Sequence, residues 1–313
     1  MDLTCDVLIV GAGLAGLNSA INLDKNLKII ILSNDKLHKC NSYLAQGGIT
    51  TVKDDNDKKS FIEDTLRAGA FENNIDAVTL VSENAQEAIN KLIELGVPFN
   101  KDENGNLKYT KEAAHSINRI LYSDDSSGKA IWETLRDEAF KRDNIEILTE
   151  TTLVDIIVKD NQVFGGVALK DSSKINIYAK STILASGGIG GVFRNSTNFE
   201  NIQGIGISLA LKHNIKLKDL KYIQLHPTAF HSKCERRKFL ISESLRGEGA
   251  KLIDDEGNRF VDELQPRDFV SEAILKHKAD KDIPCVLLDA REMGEDYLKN
   301  RFPKIYNYCL EQG

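Results

Sequence analysis

Residues 6–10 form a short β-branched run that meets glycines rather than a polar face, the pattern of a strand buried on both sides. Apolar residues then recur at helical spacing over 14–25, and 28–32 is a second apolar run of strand length. Strand, helix and strand in that order predict the βαβ unit of a parallel sheet, the start of a doubly wound α/β domain. Helical periodicity returns over 60–70, 75–95 and 129–141, each stretch bounded by Asn, Asp, Ser or Gly. From 145 to 184 β-branched residues alternate with polar ones, and Lys159-Asp160-Asn161-Gln162 and Asp171-Ser172-Ser173 are turn signals. A β-meander is expected there, closing in a further buried strand over 181–185. Beyond Leu220 the pattern is mixed, with strands expected around 249–253 and 285–288 and a helix around 268–277 that Asp268 is placed to cap. The change of character puts a domain boundary near Leu220, with one domain over 1–219 and a second over 220–313. No repeat period is visible, which excludes solenoids and propellers.

With 313 residues, 41% of them hydrophobic and 28% charged, the chain has the make-up of a folded globular protein. Lys and Arg number 41 against 47 Asp and Glu, a net charge of −6, and the lack of a basic surplus argues against nucleic acid as a partner. The apolar run 7–15 is far shorter than the roughly 20 residues of a membrane span and is preceded by acids, so neither a signal peptide nor a membrane anchor is expected. Cys5, Cys40, Cys234, Cys285 and Cys309 are scattered and form no C-x-x-C pair. That usage fits a reducing, cytoplasmic setting and argues against zinc or iron–sulfur ligation; no metal is expected.

Gly11-Ala12-Gly13-Leu14-Ala15-Gly16 is a G-x-G-x-x-G set between the first predicted strand and helix. Gly11 suits the tight turn, Gly13 a close approach of backbone to a pyrophosphate, and Gly16 close packing of helix on strand. The helix N-terminus adds unpaired N–H groups and partial positive charge, so a dinucleotide site is expected here. The acid that usually ends the second strand is replaced by Ser33 and Asn34. A hydroxyl or amide is therefore left to hold the ribose, and the nature of the dinucleotide stays open at this point.

Two more segments bear on it. Asn41-Ser42-Tyr43-Leu44-Ala45-Gln46-Gly47-Gly48 is a small-residue loop after the second strand, and Ile183-Leu184-Ala185-Ser186-Gly187-Gly188 is a strand running into a glycine pair. Further on come His226-Pro227-Thr228-Ala229, Leu245-Arg246-Gly247-Glu248-Gly249 and Pro266-Arg267-Asp268. In motif, order and spacing, from Asp6 to about Arg301, the chain resembles the flavoprotein family of fumarate reductases, succinate dehydrogenases and L-aspartate oxidases. The resemblance implies a Rossmann-like FAD-binding domain with a β-meander, followed by an incomplete α+β capping domain that carries substrate residues. It implies FAD as cofactor, with Ala45, Gln46, Gly47 and Gly48 along the isoalloxazine and Ala185, Ser186 and Gly187 behind the dinucleotide. Covalently flavinylated members have a His where Asn41 stands, so the FAD is expected to be non-covalent.

The same resemblance implies substrate roles. His226 matches a dicarboxylate-binding His; as a lone His in an apolar stretch it also reads as a packing residue. Ser242 matches a hydroxyl donor to a substrate carboxylate, with a helix N-cap as its other reading. Arg267 matches the catalytic Arg, whose planar fork holds a carboxylate and which donates a proton in the fumarate-reducing direction. Arg246 and Glu248 are expected to form an ion pair near the flavin, with a part in the chemistry as their other reading. Glu112, in Thr110-Lys111-Glu112-Ala113-Ala114-His115-Ser116, matches the position where the amino-acid-oxidising branch places a carboxylate to meet the substrate ammonium, and where the succinate- and fumarate-converting members carry a neutral residue. A solvated Glu at a helix start is the alternative reading; His115 is taken to support the loop.

The activity implied is oxidation of L-aspartate to iminoaspartate by hydride transfer to FAD, with oxygen or fumarate as reoxidant, a first step towards quinolinate and NAD, and with a quinolinate-forming enzyme as a pathway partner. The other readings are a fumarate reductase- or succinate dehydrogenase-like flavoprotein and an inactive FAD-binding fragment. Three departures from the family pattern carry expectations. Ile205 stands where an acid usually contacts the cofactor. Ala113-Ala114 replaces a glycine pair and crowds the Glu112 loop if those positions need positive φ. The sequence also stops at Gly313, before the family's second substrate His and Arg and its C-terminal helical domain, so a fragment or truncated gene product is expected, with apolar surface left open to self-association.

Overall fold

A computed structural model describes residues 1–232 and 236–313; Cys234 lies outside the described residues. In chain order its regular elements begin with β1 (Asp2–Val10), α1 (Leu14–Asn22), β2 (Ile29–Leu32), α2 (Asn41–Leu44), β3 (Ile49–Thr50), α3 (Asp57–Ala68) and α4 (Ile75–Glu94). β4 (Tyr109–Thr110), β5 (Ile120–Leu121), α5 (Ser127–Phe140), β6 (Ile145–Leu148), β7 (Thr152–Lys159), β8 (Gln162–Lys170) and β9 (Ser173–Leu184) follow. The remainder is α6 (Ile205–Lys212), α7 (Glu243–Gly247), β10 (Lys251–Ile253), α8 (Arg267–Lys281), β11 (Leu287–Asp289), α9 (Glu295–Arg301) and α10 (Pro303–Glu311). They fall into two compact units. One is built from Met1–Leu44, Gly128–Tyr222 and a short segment ending at Lys238; the other from Ala45–Ser127, a segment beginning at Ile223, and Phe239–Gly313. The chain changes unit at Tyr222, and also leaves the first unit after α2 and rejoins it within α5, so Ala45–Ser127 groups with the C-terminal part.

The first unit is organised by one sheet, with strand order β6-β2-β1-β9-β8-β7 among the described residues. β1 lies parallel to β2, from Val7 opposite Ile29 to Val10 opposite Leu32, which is the predicted βαβ unit. β2 is buried at every position, as its run of Ile29, Ile30, Ile31 and Leu32 requires of a strand covered on both faces. The meander is shorter than the sequence suggested. β6 is a parallel strand beside β2, and antiparallel pairing begins only at β7. Both turn signals act: Asp160 and Asn161, and Asp171 and Ser172, take positive φ in two-residue hairpin turns.

The expectation of a buried strand over 181–185 is corrected. β9 pairs with β1 as far as Val10 opposite Leu184, but with β8 only as far as Gly165 opposite Tyr178. Its last residues therefore have a strand on one side only, and Leu184 is 49% exposed. Leu8, Val10, Ile30, Leu32, Leu153 and Ile177 form the core against this sheet, and Ile205 packs onto it from the start of α6.

In the second unit, β3, β5 and β4 make a small antiparallel sheet and β10 pairs antiparallel with β11. Its core gathers Phe239, Ile241, Leu245, Ala250, Phe302 and Ile305. α8 starts one residue before the expected span: Arg267 is its first residue, Pro266 stands at the N-cap, and Asp268 caps nothing.

Candidate functional site

In the first unit the glycine turn has the stereochemistry its residues demand. Gly11 sits at φ +115°, and a Cβ there would lie 2.2 Å from the Ala185 carbonyl oxygen, so the turn and the end of β9 touch through glycine alone. A Cβ on Gly16 would lie 1.8 Å from the Gly11 carbonyl oxygen, which is the close helix–strand packing expected of that position. Gly13 is the N-cap of α1 and no side chain caps it. The first-turn amides of Ala15 and Gly16 therefore have no intrahelical acceptor, while Leu14 N donates to Ser42 Oγ at 3.1 Å. Trp132, which sequence reasoning missed, is 1% exposed and its Nε1 donates to the Ala12 carbonyl at 2.8 Å, pinning the turn from α5. An uncapped helix start behind a side-chain-free turn fits a pyrophosphate.

The flanking candidates are more occupied than expected. Ser33 Oγ donates to the Asp35 carbonyl at 2.9 Å, and the Asn34 amide exchanges hydrogen bonds with Asn201. The Asn41 amide is held by Asn198 and by the Phe199 N–H. Ala185 continues the β1 ladder through Val10, and Ser186 and Gly187 follow it, Gly187 at φ +74°.

The second unit holds the remaining candidates. Gln46 is buried and its side-chain oxygen has no partner; Ala45 and Gly48 are exposed beside it. Gly48 takes φ +127°, and a Cβ on it would strike the Leu121 carbonyl at 2.4 Å. A Cβ on Gly47 would lie 2.0 Å from Glu112 Oε1, so this loop lies directly against the Glu112 carboxylate. Gly247 backs the same residue from α7: a Cβ there would lie 3.2 Å from Glu112 Cα.

Around Glu112 the structure assembles a charged cluster. Glu112 is not a solvated helix-start residue: it lies on the turn after β4, its side chain is 21% exposed, and Arg267 Nη2 is 3.8 Å from its Oε2. Burial, aided by the nearby Glu243 carboxylate, raises its carboxyl to about 7 against the opposing pull of Arg267 and Arg246. Arg267 also donates through Nε to Glu243 and through Nη1 to Gln224 Oε1 at 2.8 Å. Segments 226–230 and 239–242 run side by side through Thr228 and Ile241. The His226 Nδ1 is turned to the Thr228 backbone, 3.0 Å from its carbonyl oxygen. Burial and the positive charges of Arg267 and Arg246 push its pKa down to about 4, so the ring is neutral at pH 7. Ser242 caps α7, accepting from Ser244 N at 3.3 Å.

Two expectations are overturned here. Arg246 does not pair with Glu248. It is buried, donates to the Glu263 carbonyl and lies 3.5 Å from Glu243. Glu248 instead accepts from Arg301 Nη2 at 2.7 Å, Tyr297 and Thr110. Residues two apart on a helix do not face each other, whereas Glu243 and Arg246, three apart, do. Glu243, which bridges both guanidiniums, is thus the residue missed at this site, and i, i+3 spacing is the signal that finds it. Nor does Ala113-Ala114 strain the loop: neither residue has positive φ.

A family model described as an FAD binding domain matches residues 6–312, and the chain belongs to that family. Its cofactor is FAD. Among its relatives are L-aspartate oxidases: the chain is 51% identical along its whole length to that of Clostridium perfringens, covering 71% of it, and 38% identical over 98% of its length to that of Pseudomonas aeruginosa, covering 61%. Among solved structures it resembles an Escherichia coli quinol fumarate reductase FrdA variant, with a TM-score of 0.89 and 28% identity over 97% of this chain. It also resembles the Mycobacterium smegmatis Sdh1 complex, with a TM-score of 0.79 and 26% identity over 99% of this chain. The chain spans 57% and 56% of those two structures' own lengths. Among the described residues no helix is long and apolar enough to cross a membrane, and no three His, Cys, Asp or Glu side chains are grouped to hold a metal ion.

Proposed function

We propose that the chain oxidises L-aspartate to iminoaspartate, with Glu112 as the residue that selects an amino substrate. The observation that carries this reading is a half-buried carboxylate placed 3.8 Å from the Arg267 guanidinium, in a chain 51% identical to an L-aspartate oxidase. L-Aspartate presents two carboxylates and one ammonium, and the cluster offers complementary groups. Arg267, neutral His226 and the Ser242 hydroxyl take the carboxylates; ionised Glu112 takes the ammonium in a charge-assisted hydrogen bond. A carboxyl that titrates near 7 is also suited to accept the proton the ammonium loses as the imine forms. Glu243 balances the two guanidiniums, so their charge is not left uncompensated in a buried site.

FAD, when bound, supplies the acceptor for the hydride that leaves Cα. Its pyrophosphate is assigned to the turn from Gly11 to Gly16 with Ser42, and its binding is non-covalent, because Asn41 offers only an amide that is already held by Asn198. Oxygen or fumarate reoxidises the flavin, the product is passed towards quinolinate and NAD, and the setting is cytoplasmic. The structural likeness to fumarate reductase favours a second reading, dicarboxylate reduction at the same cluster. The test is Glu112→Gln: aspartate oxidation falls while fumarate reduction survives, and equal loss of both activities would sink the assignment.

A further inference from the structure

We propose that Asp64, backed by Arg119, is a positioning residue that fixes the Glu112 carboxylate and thereby the preference for an amino substrate; this rests on the role given to Glu112 above. Glu112 sits on a turn outside any helix or strand, closed by a single backbone bond from His115 N to the Glu112 carbonyl at 3.1 Å. What holds that turn comes from α3. Asp64 Oδ2 accepts both from Ser116 N at 2.8 Å and from Ser116 Oγ at 2.7 Å. Arg67 Nη2 donates to Asp64 Oδ1 at 2.7 Å and to the Ala114 carbonyl at 3.2 Å, so the residues just after Glu112 are tied at two points to one helix.

Behind Asp64 lies Arg119, fully buried, which donates to Asp64 Oδ2 and, through Nη2, to Asp57 Oδ1 at 2.7 Å and Ser60 Oγ at 2.6 Å. Asp57 and Asp64 are seven residues apart on α3, two helical turns, so both face the same guanidinium. Burial works to raise the Asp64 carboxyl, but the bonds from Ser116 and Arg119 outweigh it and keep the group ionised. The other end of the turn is anchored separately by Thr110 Oγ1 donating to Glu248 Oε1 at 2.7 Å. A buried ion network is a poor source of stability compared with apolar packing. Here each of its carboxylates is aimed, and one of them receives the backbone of the segment that carries Glu112.

The test compares the wild-type chain with Asp64→Asn and Ser116→Ala, each loaded with FAD, using Glu112→Gln as the reference. The apparent constant for L-aspartate is read from the concentration dependence of anaerobic flavin reduction and that for succinate from the perturbed flavin spectrum, and the Glu112 carboxyl is titrated by carbon NMR without substrate. Misplacing a binding group by an ångström is worth up to about a hundred-fold, so Asp64→Asn is expected to reduce the aspartate-over-succinate preference by at least about ten-fold. Succinate affinity stays within about two-fold, and the Glu112 titration shifts. Ser116→Ala, which keeps the N–H bond and loses the hydroxyl, shifts both in the same direction by less. An unchanged preference and titration in a folded Asp64→Asn chain, or in Ser116→Ala should Asp64→Asn not fold, overturns the proposal. If Glu112→Gln abolishes the preference while Asp64→Asn keeps it, the Glu112 assignment stands and only the positioning role is lost. If the wild type shows no preference, the Glu112 assignment has failed and this inference falls with it.

Discussion

Replacing Glu112 by Gln removes one negative charge from a side chain that is 21% exposed while keeping its shape. Hydrogen bonds to charged groups contribute about 1.5–3 kcal/mol, and the partial burial of Glu112 places the loss within that range. With about 1.4 kcal/mol per factor of ten, kcat/KM for L-aspartate is expected to fall roughly ten- to hundred-fold. Fumarate has no ammonium, and loss of the carboxylate near Arg267 removes a competitor for that guanidinium, so fumarate reduction is expected to hold or rise slightly. The assay is run at pH 8, where a carboxyl titrating near 7 is mostly ionised in the wild type. Aspartate oxidation is followed anaerobically by loss of flavin absorbance, and fumarate reduction with a reduced dye. Below pH 6 the wild-type carboxyl is mostly protonated, so the two proteins should converge there. Parallel loss of both activities, or a difference that persists unchanged at pH 5.5, would show that Glu112 does not meet the substrate ammonium.

Three further outcomes follow from the geometry. Gly47→Ala adds a Cβ 2.0 Å from the present Glu112 Oε1 without backbone strain, so aspartate affinity should drop while succinate affinity, measured by spectral titration, changes little. Gly11→Ala combines φ +115° with a Cβ 2.2 Å from the Ala185 carbonyl; retained FAD on gel filtration would contradict the role given to that turn. The native His226 ring takes up its proton only near pH 4, whereas an unfolded chain does so near the ordinary 6.5, so the unfolded state binds more protons between those values. His226 therefore contributes stability above pH 6.5 that is lost as pH falls towards 4, and the Tm of His226→Gln should depend less steeply on pH across that window than the wild type's.

Local pattern and glycine chemistry carried the first unit a long way. β1, α1 and β2 follow from apolar runs and the G-x-G-x-x-G spacing, and both hairpin turns from Asp and Asn at positions that tolerate positive φ. What periodicity does not encode is which strand lies beside which. Alternation looks the same in the opening of a meander and in a parallel edge strand such as β6, and an apolar run at the end of β9 does not reveal that β8 stops short of it. In the charged cluster of the second unit the motifs point to Glu112, His226, Ser242 and Arg267, and the structure sets Arg267 3.8 Å from Glu112. Glu243 escaped because motif spacing drew attention to Arg246 and Glu248. Asp64 and Arg119 lie 55 positions apart, and nothing local marks such a pair.

The central claim is tested most directly by the visible spectrum of the FAD-loaded chain before and after anaerobic addition of L-aspartate or succinate. With L-aspartate the oxidised-flavin absorbance is expected to be lost, and with succinate it is expected to persist. Bound flavin that stays oxidised with L-aspartate, or that responds equally to succinate, would contradict it.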